Sequence, residues 1–312
     1  MKKLSVVIPC YNEQETIEIY LTEMKKIEAE LPLFFEYIFV NDVSKDDTLL
    51  ILREIADRYY NVNFISFSRN FGKEAALLAG LKATTGDFVT VMDVDLQDPP
   101  GLLPQMYQKI QEGYDIVGTR RSSRTGEPVI RSFFAKKFYQ VINQISDTEM
   151  VDGARDFRLM TRQVVDAILE LNEVNRFSKG IFSWVGFDTY YISFENRERS
   201  AGETSWNFWS LFKYSLEGII NFSEAPLTFA TLVGLGSCII SILAMIYFFL
   251  DNLVKQNPVP GWPSLVCIIL FLGGLQLFCL GIVGKYIGKI FTEVKNRPNY
   301  IIKESYFKSE DE

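Results

Sequence analysis

The chain of 312 residues carries a formal net charge of −7, with 39 acidic against 32 basic side chains and no histidine. An acidic balance excludes general nucleic-acid binding, and the missing imidazole leaves proton transfer and metal binding to carboxylates, lysine, tyrosine and backbone. The four cysteines, Cys10, Cys238, Cys267 and Cys279, form no Cys-x-x-Cys pair and three lie in apolar runs, which argues against a zinc site or a disulfide framework.

The first elements alternate. Residues 4–8 form a short apolar strand, reached from Met1-Lys2-Lys3 without the apolar core of a signal peptide. Pro9-Cys10-Tyr11-Asn12-Glu13 ends that strand and opens a helix with Ile17, Leu21, Met24 and Ile27 on one face. A second strand over 37–40 runs into Asn41-Asp42-Val43-Ser44. Ser44 with Asp47 predicts a capping box, and Leu49, Leu52, Ile55 and Ala56 supply the next helix face. A third strand over 62–67 leads to the polar loop Ser68-Arg69-Asn70-Phe71-Gly72-Lys73 and a helix over 74–83, with Gly86 placed as its C-terminal cap.

The apolar run from Phe88 then meets Asp93-Val94-Asp95-Leu96-Gln97-Asp98-Pro99-Pro100. If the strand continues, Asp93 and Asp95 share a face, because side chains repeat every two residues. Two carboxylates at a strand's carboxyl end suit a divalent cation carrying phosphates. The bland alternative is a solvated turn. A helix over 102–111 and a strand over 115–118 complete a βα alternation that predicts a mostly parallel sheet with helices on its faces. Asp42 and the Asp93/Asp95 pair then fall at one sheet edge, where open α/β sheets bind ligands.

The ordered motifs Val7-Ile8-Pro9-Cys10-Tyr11-Asn12-Glu13, Val40-Asn41-Asp42-Val43-Ser44-Lys45-Asp46, Arg69-Asn70-Phe71-Gly72-Lys73 and Asp93 through Pro100 resemble those of inverting family 2 glycosyltransferases. The resemblance extends over almost the whole chain and is greatest to the polyprenyl-phosphate branch, the undecaprenyl-phosphate glucosyltransferases and dolichyl-phosphate mannose synthases. It implies a GT-A fold, a Rossmann-like α/β catalytic domain. It implies donor contacts at Pro9, Tyr11, Glu13, Asp42, Asp93, Val94 and Gln97, and a Mg²⁺ or Mn²⁺ ion at Asp93, Asp95 and Gln97. Val43 departs from the family's usual glycine, which supplies an unusual backbone angle.

A basic run from Arg120 through Arg121, Arg124, Arg131, Lys136 and Lys137 reverses the local charge. Arginine forks suit phosphate oxygens, and a solvated face is the competing reading. By resemblance, Arg120 and Arg131 are the acceptor-phosphate ligands. Phe133, Phe134, Phe138, Tyr139, Val141 and Ile142 add an apolar face that suits an interfacial helix. Asp156, in Asp156-Phe157-Arg158-Leu159-Met160, resembles the family's carboxylate beside the reacting centre, with Asp95 as its catalytic companion. With Arg155 and Arg158 beside it, Asp156 also fits a structural ion pair. The segment from Arg197 resembles a diphosphate-covering loop that assigns Arg199 to the donor. Asn196 and Ser205 stand where that loop usually carries Arg and Lys.

The last third has no charged residue from 225 to 250 or from 256 to 284. Each run exceeds the roughly 20 residues of a membrane-spanning helix. The expected layout is a catalytic domain over 1–206 and an interfacial amphipathic helix over 207–224. Transmembrane helices follow over 225–250 and 263–284, with an external loop between them, and then a tail over 285–312. Lys285, Lys289, Lys295, Arg297 and Lys303 favour the cytoplasm, which puts the catalytic domain and both termini on that side of the plasma (inner) membrane. The resemblance implies transfer of a hexose, glucose from UDP-glucose, to undecaprenyl phosphate with inversion, by a metal-dependent enzyme that self-associates. A catalytically weakened nucleotide-sugar-binding scaffold, or a mannose- or N-acetylglucosamine-transferring enzyme of the same branch, is the alternative.

Overall fold

The computed structural model describes residues 1–122, 140, 143–144, 151, 153–194, 219–221, 223–255 and 261–308. The elements are β1 (Lys3–Cys10), α1 (Ile17–Glu30), β2 (Phe34–Asn41), α2 (Thr48–Arg58), β3 (Val62–Phe67), α3 (Lys73–Ala83) and β4 (Phe88–Val91). They continue with α4 (Leu103–Gln111), β5 (Ile116–Arg121), β6 (Ala154–Thr161), α5 (Arg162–Glu170), α6 (Ser178–Trp184), β7 (Thr189–Phe194), α7 (Ala225–Lys255), α8 (Trp262–Lys295) and β8 (Ile302–Tyr306). A single sheet runs in the order β7-β5-β6-β4-β1-β2-β3-β8. The pairs β1–β2, β1–β4, β2–β3 and β5–β7 are parallel, whereas β6 runs antiparallel to β4 and β5.

The central strands are buried on both faces, as parallel strands covered by helices must be. The α1 face expected from the spacing is the one observed, with Ile17, Leu21, Met24 and Ile27 buried together with Tyr20. In α2 the buried side chains are Thr48, Leu52, Ile55 and Ala56. The carboxyl ends of β1, β2 and β4 consequently open onto one crevice edge.

Four local expectations change. Strand β4 stops at Val91, and the Met92 amide closes the ladder on Val7 O at 3.0 Å. Asp93 and Asp95 therefore sit on a turn rather than on one strand face. That turn is shaped by the Gln97 amide donating to Asp95 Oδ1 (3.1 Å) and by Leu96 at φ +56°. Ser44 caps no helix: its hydroxyl donates to Asn41 Oδ1 (2.6 Å) and accepts the Asn12 amide (2.9 Å), and α2 begins only at Thr48. Gly86 is not a left-handed cap. A Cβ there would lie 2.8 Å from Lys3 O, Phe88 O and Ser5 N, so glycine is required by close backbone approach. The fourth change is β8, which returns beyond the apolar helices and pairs antiparallel with β3.

Helices α7 and α8 contain apolar windows over Ala225–Ala244 and Ile268–Lys295, long enough to cross a membrane by length and composition. Their large side chains are exposed, Leu232 at 62% and Phe271 at 70%, which excludes a role as soluble core helices. Most of the interfacial helix expected over 207–224, and the aromatic run 133–139, lie outside the described residues.

Candidate active site

Asp42 follows β2 directly and is buried, at 4% exposure. Its carboxylate accepts two backbone amides of the 68–73 loop, Phe71 N on Oδ1 at 2.7 Å and Gly72 N on Oδ2 at 2.8 Å. Asn70 Nδ2 donates to the Asp42 carbonyl at 3.2 Å. Burial pushes the Asp42 carboxyl above its ordinary value, and the two amide bonds oppose that rise. Next to it Val43 occupies φ +56°, so the backbone takes the conformation for which glycine is suited although a β-branched residue stands there.

The loop thus fixed ends on Gly72, at φ +92°, and Lys73 opens α3. The Lys73 ammonium lies 2.7 Å from Asp93 Oδ1, 3.0 Å from Asp93 Oδ2 and 2.6 Å from Asp156 Oδ2. Asp156, on β6, and Asp93, past β4, therefore face one another across a single cation. Burial pushes the Asp156 carboxyl up, but Lys73, Lys179 and Arg158 outweigh it and hold the group well below the usual carboxylate range. Burial pulls the Lys73 ammonium down, and Asp156 and Asp93 reverse this, so it stays above the ordinary lysine value.

The arginines beside Asp156 do not pair with its carboxylate. Arg155 Nε donates to Asp98 Oδ1 at 2.8 Å, and one of its terminal nitrogens reaches Gln97 Oε1 at 3.4 Å, which pins the 95–98 turn against β6. Asp98 is 1% exposed and its Oδ2 has no hydrogen-bond partner among the described residues. Arg158 packs its guanidinium 3.6 Å from the Phe182 ring centroid and donates to the backbone carbonyls of Arg155 and Asp156. Asp156 is ion-paired with Lys73, and the pairing with Arg155 or Arg158 expected for a structural role is not formed.

The structure gathers Asp42, Asp93 and Asp156 around the 68–73 loop and places Val94, Asp95 and Gln97 on the adjoining turn. Pro9 sits in register with Val40 on β2. Tyr11 is exposed at 43%, and the neighbouring Glu13 amide donates to Thr48 Oγ1 at 2.9 Å, which latches this loop to the start of α2. Arg120 lies exposed at the end of β5, its Nε donating to Ser193 Oγ at 2.9 Å. Arg131 and Arg199 lie outside the described residues. Lys73, Arg155 and Asp98 received no individual role from the sequence. Lys73 stood in a quoted motif, but its partners are 20 and 83 residues away.

Among the described residues no group of three or more Cys, Asp or Glu side chains is placed to hold a metal by itself. The donor set still fits a hard divalent ion. Mg²⁺ is ordinarily held by one or two carboxylates with substrate phosphate completing the shell, and Asp93 already accepts a cation on both oxygens.

The α/β sheet, with acidic turns at the carboxyl ends of its parallel strands, has its crevice where open α/β sheets bind ligands. The family model "Glycosyl transferase family 2" matches residues 5–169. The chain is 42% identical over 308 residues to the putative glycosyltransferase CsbB of Bacillus subtilis (strain 168), covering 99% of this chain and 93% of that protein. It is 44% identical over 304 residues to the SfII prophage-derived bactoprenol glucosyl transferase of Shigella flexneri, covering 97% and 98%. Among solved structures, mannosyl-3-phosphoglycerate synthase from Rubrobacter xylanophilus aligns at TM-score 0.48 and 16% identity, covering 83% of this chain and 78% of that one. The protein belongs to glycosyl transferase family 2, with the GT-A-like α/β fold of that family.

Proposed function

We propose that the protein transfers glucose from UDP-glucose to a polyprenyl phosphate, with undecaprenyl phosphate as the acceptor, at the cytoplasmic face of the plasma membrane. The observation that carries this reading is the facing pair Asp93 and Asp156, joined through the 68–73 loop to the buried Asp42 and followed in the chain by two exposed apolar helices. The Shigella relative, similar over its whole length, is a bactoprenol glucosyl transferase, which supports both the sugar and the lipid class.

In this reading Pro9, Tyr11, Glu13 and Asp42 hold the base and ribose, and Val94 and Gln97 border the diphosphate. Asp93 and Asp95, with Gln97, would hold Mg²⁺ or Mn²⁺, which supplies Lewis-acid stabilisation of the departing nucleoside diphosphate. Arg120 and Arg131 receive the acceptor phosphate, and Arg199 covers the donor. An oxygen of the lipid phosphate forms a bond to the anomeric carbon as that carbon's bond to the diphosphate oxygen breaks, with inversion. The nucleophile is anionic near neutral pH, so Asp156 is needed less as a strong base than as a fixed negative charge beside the developing positive charge of the sugar.

The membrane topology has support of its own. Two spans separate the catalytic domain from β8, and β8 pairs with β3, so both lie on one side. The basic residues beyond the second span favour the cytoplasmic side. Self-association is part of the proposal and is read by light scattering of the purified protein. The deciding experiment incubates the full-length protein with labelled UDP-glucose and undecaprenyl phosphate and analyses the extracted lipid by mass spectrometry. A metal-dependent glucosyl-phosphate lipid is expected. Donor binding without a lipid product would favour the scaffold alternative, and a lipid product with a different sugar would correct the donor.

A further inference from the structure

Lys73 occupies a place that local energetics disfavour. It is the first residue of α3, where the positive end of the helix dipole disfavours a cation. Its backbone is nevertheless fixed on both sides. Before it, the Gly72 amide is held by Asp42. After it, Glu74 Oε2 accepts the Ser178 amide at 2.9 Å and is also bonded by the Ser178 hydroxyl, which ties the first turn of α3 to that of α6. From this fixed backbone the Lys73 side chain ends between two carboxylates on different elements. The side chain is 41% exposed, so the cation is accessible from the crevice.

We propose that Lys73 is a positioning residue of the transfer reaction: its ammonium bridges Asp93 and Asp156 as a resident cation, and the divalent ion must take Asp93 from it. The inference rests on the glycosyl-transfer reading above and deepens it. Before the donor arrives, the ammonium relieves the repulsion between the two facing carboxylates and keeps both aimed into the same space. With Asp93 given over to a divalent ion, Lys73 would remain on Asp156 and hold that carboxylate at the reacting centre. The ammonium and the metal therefore compete, a relation that a lysine needed only for folding would not produce. The same loop holds Asp42, so the nucleotide end and the reacting end of the site are coupled over the three residues from Phe71 to Lys73.

The test uses the full-length protein in lipid nanodiscs. Mn²⁺ is titrated alone and with UDP, and free Mn²⁺ is followed by electron paramagnetic resonance. Lys73→Met removes the competing charge and should tighten Mn²⁺ binding about tenfold, the size expected for removing a like charge a few ångströms away. Lys73→Arg retains the charge and should stay within about threefold of the parent. At saturating Mn²⁺ the turnover of Lys73→Met should fall at least about tenfold with little change in the KM for UDP-glucose, because Asp156 loses its anchor.

Unchanged or weaker Mn²⁺ binding in Lys73→Met overturns the proposal, as does turnover equal to the parent's. Lys73→Gln serves if the methionine variant does not fold, and failure of both neutral variants to fold assigns Lys73 a purely structural role and also overturns it. Asp95→Asn separates the two levels of argument. Parent binding that is lost in Asp95→Asn but unaltered in Lys73→Met sinks only the role of Lys73. A parent that binds no Mn²⁺ under either condition sinks the metal reading and the proposal with it.

Discussion

Glu293 offers a measurable link between the membrane helices and the catalytic domain. Helix α8 has 34 residues and is about 51 Å long, well beyond the roughly 30 Å of bilayer hydrocarbon, so a bilayer around it would leave several turns outside. There the Glu293 carboxylate accepts the Val174 amide (2.9 Å), the Asn175 amide (2.8 Å) and Asn175 Nδ2 (2.6 Å). Glu293→Gln leaves one oxygen as an acceptor and turns an amide toward the third donor. Glu293 is only partly buried, so the low ends apply: a bond to a charged acceptor is worth about 1.5 kcal/mol and a neutral one about 0.5, and two weakened bonds with one lost give about 3.5 kcal/mol. Removing an anion from a helix C-terminus returns about 0.5 kcal/mol. The net loss, about 3 kcal/mol, corresponds to roughly 150-fold more frequent local opening. Hydrogen exchange with mass spectrometry on full-length protein in nanodiscs should show that acceleration in a peptide spanning 172–178 and none in one spanning β1. Less than about threefold acceleration at 172–178 would refute the reasoning.

Four further outcomes follow from the site. Asp156→Asn should lower turnover by about 10²- to 10³-fold while UDP affinity stays within about threefold, measured by labelled-lipid formation and calorimetry. The Asp156 carboxyl is held below its unfolded value, so its contribution to stability is complete above about pH 4 and is lost as pH falls through the folded value. The melting temperature deficit of Asp156→Asn should accordingly be constant from pH 7 to 5 and shrink below about pH 4. Asp42→Ala leaves the Phe71 and Gly72 amides without their acceptor and should cost about 2–4 kcal/mol of stability, seen by thermal melting, and abolish detectable UDP binding. Val43→Gly releases about 1–2 kcal/mol of left-handed strain, offset by lost packing and added chain entropy, so its melting temperature should lie within about 2 °C of the parent's.

The βα alternation was legible because each early strand is a short apolar run and each helix shows one apolar face. Asp42, Asp93 and Asp156 were legible as motif residues. The conformations around them were not. The expectation that Asp93 and Asp95 share a strand face assumed that pairing continues past Val91, but β4 is only four residues long and its ladder ends at Met92. Ser44 fits a capping pattern locally, yet Asn41 and Asn12 claim its hydroxyl. The ties that complete the site connect distant positions: Lys73 to Asp156 across 83 residues, Arg155 to Asp98 across 57, Asn175 to Glu293 across 118. Periodicity reports which face of an element is buried, and it carries no information about such pairings. Strand β8 escaped for the related reason that Ile302–Tyr306 is mostly exposed and follows a charged helix end, so nothing local marks it as the edge of a sheet begun 300 residues earlier.

The attachment of the membrane helices bears on how a lipid phosphate can be met at all. An acceptor embedded in a bilayer presents its phosphate at one height, so a site above that surface works only if its height and tilt are held. Asn175 ties the α/β domain to the end of α8 with nearly every polar atom it has. Its amide and Nδ2 donate to Glu293, its Oδ1 accepts Lys289 Nζ at 3.1 Å, and its carbonyl accepts Asn221 Nδ2 at 3.0 Å. Beyond the helix end, Asn299 Nδ2 donates to the Glu173 carbonyl, and β8 adds Arg53 in a two-point contact with Glu304 at 2.8 and 2.6 Å. That ion pair is exposed and screened by solvent, so the backbone ladder with β3 and the stacking of Tyr300 on Phe67 must provide most of the hold. Three residues after Asn175, Ser178 is bonded to Glu74, the neighbour of Lys73. The segment bonded to the end of α8 is therefore the same segment that, through Glu74, buttresses Lys73 between Asp93 and Asp156.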